Sequence, residues 1–122
     1  MDALEFISGL GVVPVIRLDD AGLAVPVCRA LAAGGLPAAE ITFRTGAAEG
    51  AIRRAAGELP DVLVGAGTVV SVAQARRALA AGARFIVSPG ISADVVRFCQ
   101  EAGLPVVPGC ATPTDLMLAA NL

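Results

Sequence analysis

The chain contains no lysine, histidine, tryptophan or tyrosine. Without histidine, imidazole catalysis and histidine-ligated metals are excluded. Without lysine, all nine basic side chains are arginine, which stays protonated and forms no Schiff base. Aromatic residues are limited to four phenylalanines, and eleven acidic groups outweigh the nine arginines to give a net charge of −2. That balance, with no basic patch, speaks against nucleic-acid binding. Cysteines are few, odd in number and far apart: Cys28, Cys99 and Cys110. They read as reduced core residues of a cytosolic protein, not as a ligand set. No uncharged apolar run reaches the roughly 18–20 residues that span a bilayer. The acidic start, Met1-Asp2-Ala3-Leu4-Glu5, is unlike the basic beginning of a secretory leader.

What is abundant is apolar surface: 56% of the 122 residues are hydrophobic, and the mean hydropathy is +0.76. High apolarity without a spanning run suits a parallel sheet covered by helices. Apolar strands recur at Val12–Arg17, Ala38–Arg44, Val62–Thr68, Arg84–Ser88 and Leu104–Val107. Helical segments follow at Asp20–Ala33, Ala47–Glu58, Ser71–Ala80, Ala93–Ala102 and Pro113–Leu122, and a short helix, Asp2–Ser8, precedes the first strand. Ser71, Ser92 and Thr112 stand where N-caps belong, with Pro113 in a first turn. Glycines in "AAGG", "AAGA" and "EAG" mark helix ends.

Alternating βα units imply a parallel sheet with right-handed crossovers. Two architectures fit. A five-stranded doubly wound sheet would be complete at this length, whereas a (βα)₈ barrel usually takes about 250 residues. The polar groups favour the barrel. In "PAAEITFRTG", Glu40, Thr42 and Arg44 alternate with Ala39, Ile41 and Phe43, so the polar trio shares one strand face. A buried carboxylate and guanidinium are costly unless paired or put to use. Arg17 and Thr68 fall at other strand ends, where barrel chemistry gathers. The plainer alternative is that Glu40 and Arg44 merely pair, inside a barrel or at an oligomer contact.

The motifs "VVPVIR", "AAEITFRT", "VGAGTV", "FIVSPG" and "VVPGCATPTDLM" resemble, in order and spacing, those of bacterial 2-keto-3-deoxy-6-phosphogluconate / 4-hydroxy-2-oxoglutarate aldolases. The resemblance covers essentially the whole chain. It implies an α/β fold, a partial TIM (β/α)₈ barrel of about five βα units with a short N-terminal helix, with residues 1–122 one incomplete domain. Family members are class I aldolases, metal-free and without a cofactor. They cleave a 2-keto-4-hydroxy acid to pyruvate and an aldehyde through a lysine Schiff base, commonly as cytoplasmic homotrimers.

Carried over by motif, Glu40 is the proton shuttle for carbinolamine dehydration and carbon–carbon cleavage. Arg44 would bind the pyruvate carboxylate, and Thr68 would add a hydroxyl to that region. Pro89 would shape the pocket wall, and Arg17 is a further substrate contact. Read alone, "GAGT" is a strand-end turn and "SPG" an ordinary turn. The family's lysine lies on the sixth strand, just beyond residue 122, and the phosphate site on the last two strands is also absent. The expectation is therefore an N-terminal five-eighths of the enzyme, inactive alone. The alternative is a non-catalytic half-barrel that self-associates or binds a partner through its open edges. A complete flavodoxin-like domain is the remaining reading.

Overall fold

The computed structural model describes residues 2–122. A first helix, α1 (Ala3–Leu10), precedes five βα units. They run β1 (Val15–Ile16), a 3-10 turn (Ala21–Leu23) with α2 (Ala24–Ala33), β2 (Ala38–Thr42), α3 (Ala48–Glu58), β3 (Leu63–Gly67), α4 (Val72–Ala81), β4 (Ile86–Ser88), α5 (Ala93–Glu101), β5 (Val106–Pro108) and α6 (Pro113–Asn121). The strands are parallel and ordered β1-β2-β3-β4-β5.

That order decides between the two architectures. A doubly wound sheet reverses its strand order at a switch point and carries helices on both faces. Here every crossover steps the same way, and α2 to α5 share one core. Ile16, Ala39, Ile41, Val64, Ala66 and Ile86 from the sheet pack with Cys28, Ile52, Ala75, Val95 and Cys99 from the helices. The opposite parity of the strands gives a separate, smaller core of Ala38, Leu63 and Phe85, joined by Ala3, Phe6, Ile7 and Leu10 around α1. One face is helix-covered and the other is an inner face partly covered by α1: five units of a partial (β/α)₈ barrel.

The helices follow from composition. Ala48, Ala51 and Ala55 of α3, and Ala75, Ala78 and Ala81 of α4, are buried. Small residues at three- and four-residue spacing make a narrow stripe that lets each helix lie close to its neighbours. The expected caps form: Ser71, Ser92 and Thr112 accept from Gln74, Val95 and Asp115 N–H. Thr112 and Asp115 form a capping box with Pro113 in the first turn. Gly82 ends α4 at φ 103°, where a Cβ would be strained. No helix among the described residues is long and apolar enough to cross a membrane.

Several boundaries differ from the expected ones. β1 is only Val15–Ile16, pairing on one side with β2, because Pro14 has no N–H to give a ladder. β2 ends at Thr42, and Phe43 and Arg44 lie in the following turn. The glycines of "GAGT" are strand residues, not a turn: β3 runs through Gly67. β4 and β5 begin two residues later than expected. The helix expected over Asp20–Ala33 is a 3-10 turn capped by Asp20, followed by α2.

Candidate functional site

In register, Glu40 stands beside Val15 on β1 and Gly65 on β3. It is on the inner face, because its strand neighbours Ala39 and Ile41 are in the helix-side core. The side chain is 8% exposed. Burial pushes its carboxyl above the usual carboxylate range, and the positive charge of Arg44 pulls the other way. Burial is the larger influence, since an anion loses hydration there. Glu40 and Arg44 form no ion pair among the described residues, unlike Arg17, which meets Asp19 at 3.0 Å. The plain pairing reading of Glu40 and Arg44 therefore has no contact behind it.

Arg44 is exposed in the turn after β2. Its Nε donates to Thr68 Oγ1 at 3.4 Å, a long bond that brings together residues from two strand ends. Thr68 follows β3 directly and has φ 54°, a left-handed conformation that a β-branched residue adopts at a cost. Neighbouring hydroxyls hold the turn in place. Thr42 Oγ1 donates to Ile16 C=O at 2.9 Å, and Thr45 Oγ1 donates to Leu18 C=O while accepting from Ala47 N–H. Thr42 shares the polar face, as its alternation suggests, but its hydroxyl is committed to stitching β2 onto β1.

Pro89 is exposed immediately after β4, and a Cβ added to the passing Gly109 would collide with its carbonyl oxygen. Arg17 is exposed just beyond β1, with its guanidinium on Asp19. All five candidate residues thus lie on β2 or near the carboxyl ends of β1 to β4. Among the described residues, Arg44 and Thr68 are the pair of candidates joined by a hydrogen bond.

Two features escaped the sequence reading. Gly65 and Gly67 are the inner-face residues of β3, and a Cβ on Gly67 would lie 1.9 Å from Glu40 Oε1. Glycine inside a strand pattern is the signal that could have marked this close approach. Ser88 Oγ is buried without a hydrogen-bond partner among the described residues. It has the parity of Ile86, which packs on the helix side, so it belongs to the far side of the sheet from Glu40. A cleft of about 440 Å³, lined by Asp2, Arg84, Gly103 and Pro105 among others, is lined by none of the five candidates. Among the described residues no three His, Cys, Asp or Glu side chains gather as a metal-ligand set.

Comparison with known proteins agrees with the fold. The family model for KDPG and KHG aldolase matches residues 5–122. A 2-dehydro-3-deoxy-phosphogluconate aldolase of Treponema pallidum (strain Nichols) is 46% identical over 112 residues, which are 92% of this chain and 53% of the relative. The aldolase of Zymomonas mobilis ZM4, solved with 3-phosphoglycerate, superposes with a TM-score of 0.90 at 37% identity, covering 99% of this chain and 58% of that one. The Legionella pneumophila KDPG aldolase, solved with pyruvate captured as a covalent carbinolamine intermediate, gives a TM-score of 0.85 at 38% identity, over 89% of this chain and 53% of its own. The chain spans about half the length of the curated relatives it matches. A parallel sheet in barrel order, a buried inner-face glutamate and a match over residues 5–122 lead to one assignment: the chain belongs to the KDPG and KHG aldolase family.

Proposed function

We propose that this chain supplies the acid–base residue and the keto-acid carboxylate site of a class I aldolase, while the Schiff-base amine comes from outside these 122 residues. The reaction would be reversible cleavage of 2-keto-3-deoxy-6-phosphogluconate or 4-hydroxy-2-oxoglutarate, giving pyruvate with glyceraldehyde 3-phosphate or glyoxylate. The observation that carries this reading is the Glu40 carboxylate, buried on the inner face with no ion-pair partner. A carboxyl raised by desolvation is better suited than an ordinary one to giving and taking a proton.

The remaining roles follow from position. Arg44 offers a guanidinium whose terminal nitrogens can take a carboxylate two at a time. Thr68, in contact with Arg44, adds a hydroxyl beside it. Pro89 forms rim wall, and Arg17 is a further cation at the first strand's end. The imine that serves as electron sink requires a primary amine, and no lysine is present. The reading therefore includes inactivity of the isolated chain, a single incomplete barrel domain, a cytoplasmic setting and a homotrimeric complete enzyme. Incubation of the 122-residue polypeptide with pyruvate and borohydride tests it. No covalent adduct and no aldol cleavage are expected, and a trapped side-chain adduct would overturn the division of labour.

A second reading rests on a separate observation. Val15 and Val107 are 59% and 45% exposed at inner-face positions, and β1 and β5 are both unpaired on their outer sides. Open edges beside apolar surface invite association. The chain would then be a non-catalytic half-barrel that pairs with itself or a partner. A monodisperse monomer in sedimentation velocity argues against it.

A further inference from the structure

The inner face of β3 has been stripped of side chains at two successive inward positions, Gly65 and Gly67, and neither vacancy is empty. A Cβ on Gly65 would meet the Phe85 ring at 2.3 Å, and a Cβ on Gly67 would meet Glu40 Oε1 at 1.9 Å and Glu40 Cγ at 2.7 Å. Phe85 reaches in from β4's side and Glu40 from β2, so the two neighbours fold over β3 in layers. The backbone does not ask for glycine at either position. Among the described glycines only Gly11, Gly35, Gly82 and Gly103 have positive φ, whereas Gly65 and Gly67 are ordinary strand residues paired with Glu40 and Thr42. The demand comes from what lies on top.

We propose that Gly67 is the positioning residue for the Glu40 carboxylate: its missing side chain is the seat in which that carboxylate rests. The seat turns Glu40 sideways across the sheet instead of up into the open face. Beneath it, the Phe85 ring, 1% exposed, fills the Gly65 position and closes off water from below. Thr68 is the next residue along the chain and accepts from Arg44. Consecutive residues of one strand end thus seat the proton-transfer group and carry the partner of the carboxylate-binding arginine. A keto acid held by Arg44 and Thr68 would present its adjoining carbons to Glu40. This consequence rests on the function proposed above, but the seat itself does not.

A double-mutant cycle on the 122-residue chain tests the seat without substrate or lysine. Gly67→Ala should lower Tm by several degrees in the wild-type background and by much less in a Glu40→Ala background, because the obstructing side chain is gone. If Gly67→Ala fails to fold alone, recovery of folding in the double variant carries the same meaning. An equal Tm loss, or an equal failure to fold, in both backgrounds overturns the proposal. Where Gly67→Ala folds, carbon-detected NMR titration of Glu40 gives a readout that a merely structural glycine would not move. Eviction of the carboxylate toward solvent should shift its titration to lower pH, and an unchanged titration overturns the seat. Both measurements are independent of the adduct experiment, so failure of the seat and failure of the aldolase reading appear separately.

Discussion

At the scale of single residues, Glu40 ties the site to the stability of the fold. Burial holds its carboxyl above the ordinary value, partly offset by Arg44. A group with a raised folded-state pKa favours folding below its unfolded value of about 4.3, and that contribution is lost as pH rises through the folded value. Once ionised, the carboxylate therefore opposes folding. Glu40→Gln should raise Tm where the carboxylate is ionised, with the gain vanishing under acid conditions; a thermal series across pH checks both halves. Thr68 is the other strained residue. The left-handed region costs an L-residue about 1–2 kcal/mol, against about 0.5–1 kcal/mol for glycine's added unfolded-state freedom. Thr68→Gly should thus stabilise the chain by roughly 0.5–1 kcal/mol in chemical denaturation. It should also weaken pyruvate-induced NMR shifts around Arg44.

At the scale of elements, helix ends and interhelical ties decide local firmness. Removal of the Ser71 cap by Ser71→Ala should cost about 1 kcal/mol, read by denaturant unfolding. Glu49 of α3 accepts from Arg77 of α4 at 2.6 Å and from Arg53 of its own helix at 2.9 Å. Those bonds, Arg77's first, hold its carboxyl below the usual range. The Arg77 guanidinium also lies 5.7 Å from the Phe43 ring centroid, on the turn that carries Arg44. A group with a lowered pKa stabilises the fold above its unfolded value, and the effect fades as pH falls toward the folded one. Protection of the α4 amides, taken relative to the intrinsic exchange rate at each pH, should fall on acidification, and Glu49→Gln should flatten that dependence. By sequence alone, the Arg53-Arg54 and Arg76-Arg77 pairs belong on solvated helix faces. That holds for their exposure, but it leaves out the Glu49 bridge and the stacking of Arg76 on Phe98. Arg53 is one helical turn from Glu49, but Arg77 and Glu49 are 28 residues apart, and they, like Arg76 and Phe98, are adjacent only after the helices pack.

For the whole molecule, the same strand order that makes an inner face leaves it unfinished within this chain. Val15 and Val107 face that opening, so polar replacements there should not disturb the helix-side core. Val107→Asp with the uncharged Val15→Ser, chosen because Val15 is the register partner of Glu40 and a like charge there would destabilise, should leave Tm nearly unchanged while reducing any self-association seen by sedimentation velocity. Ile52, fully buried in the helix-side core, is the contrasting case: Ile52→Ala should lose about 2–5 kcal/mol without changing the association state of the folded fraction.

The alternation of apolar strands with alanine-rich helices and the capping residues were legible in the chain, because they depend on local periodicity and local hydrogen bonding. So was the division of β2 into a polar face and an apolar face, which follows from the two-residue repeat of any strand. The five ordered motifs were legible only through their resemblance to a family. The sequential strand order was decided only in three dimensions, since either parallel architecture satisfies the same local pattern. The seating of Glu40 over Gly67 was likewise invisible, because residues 27 apart in the chain meet only through the β2–β3 register. Local chemistry wrote the elements and nominated the glutamate; the sheet's register determined where its carboxylate rests.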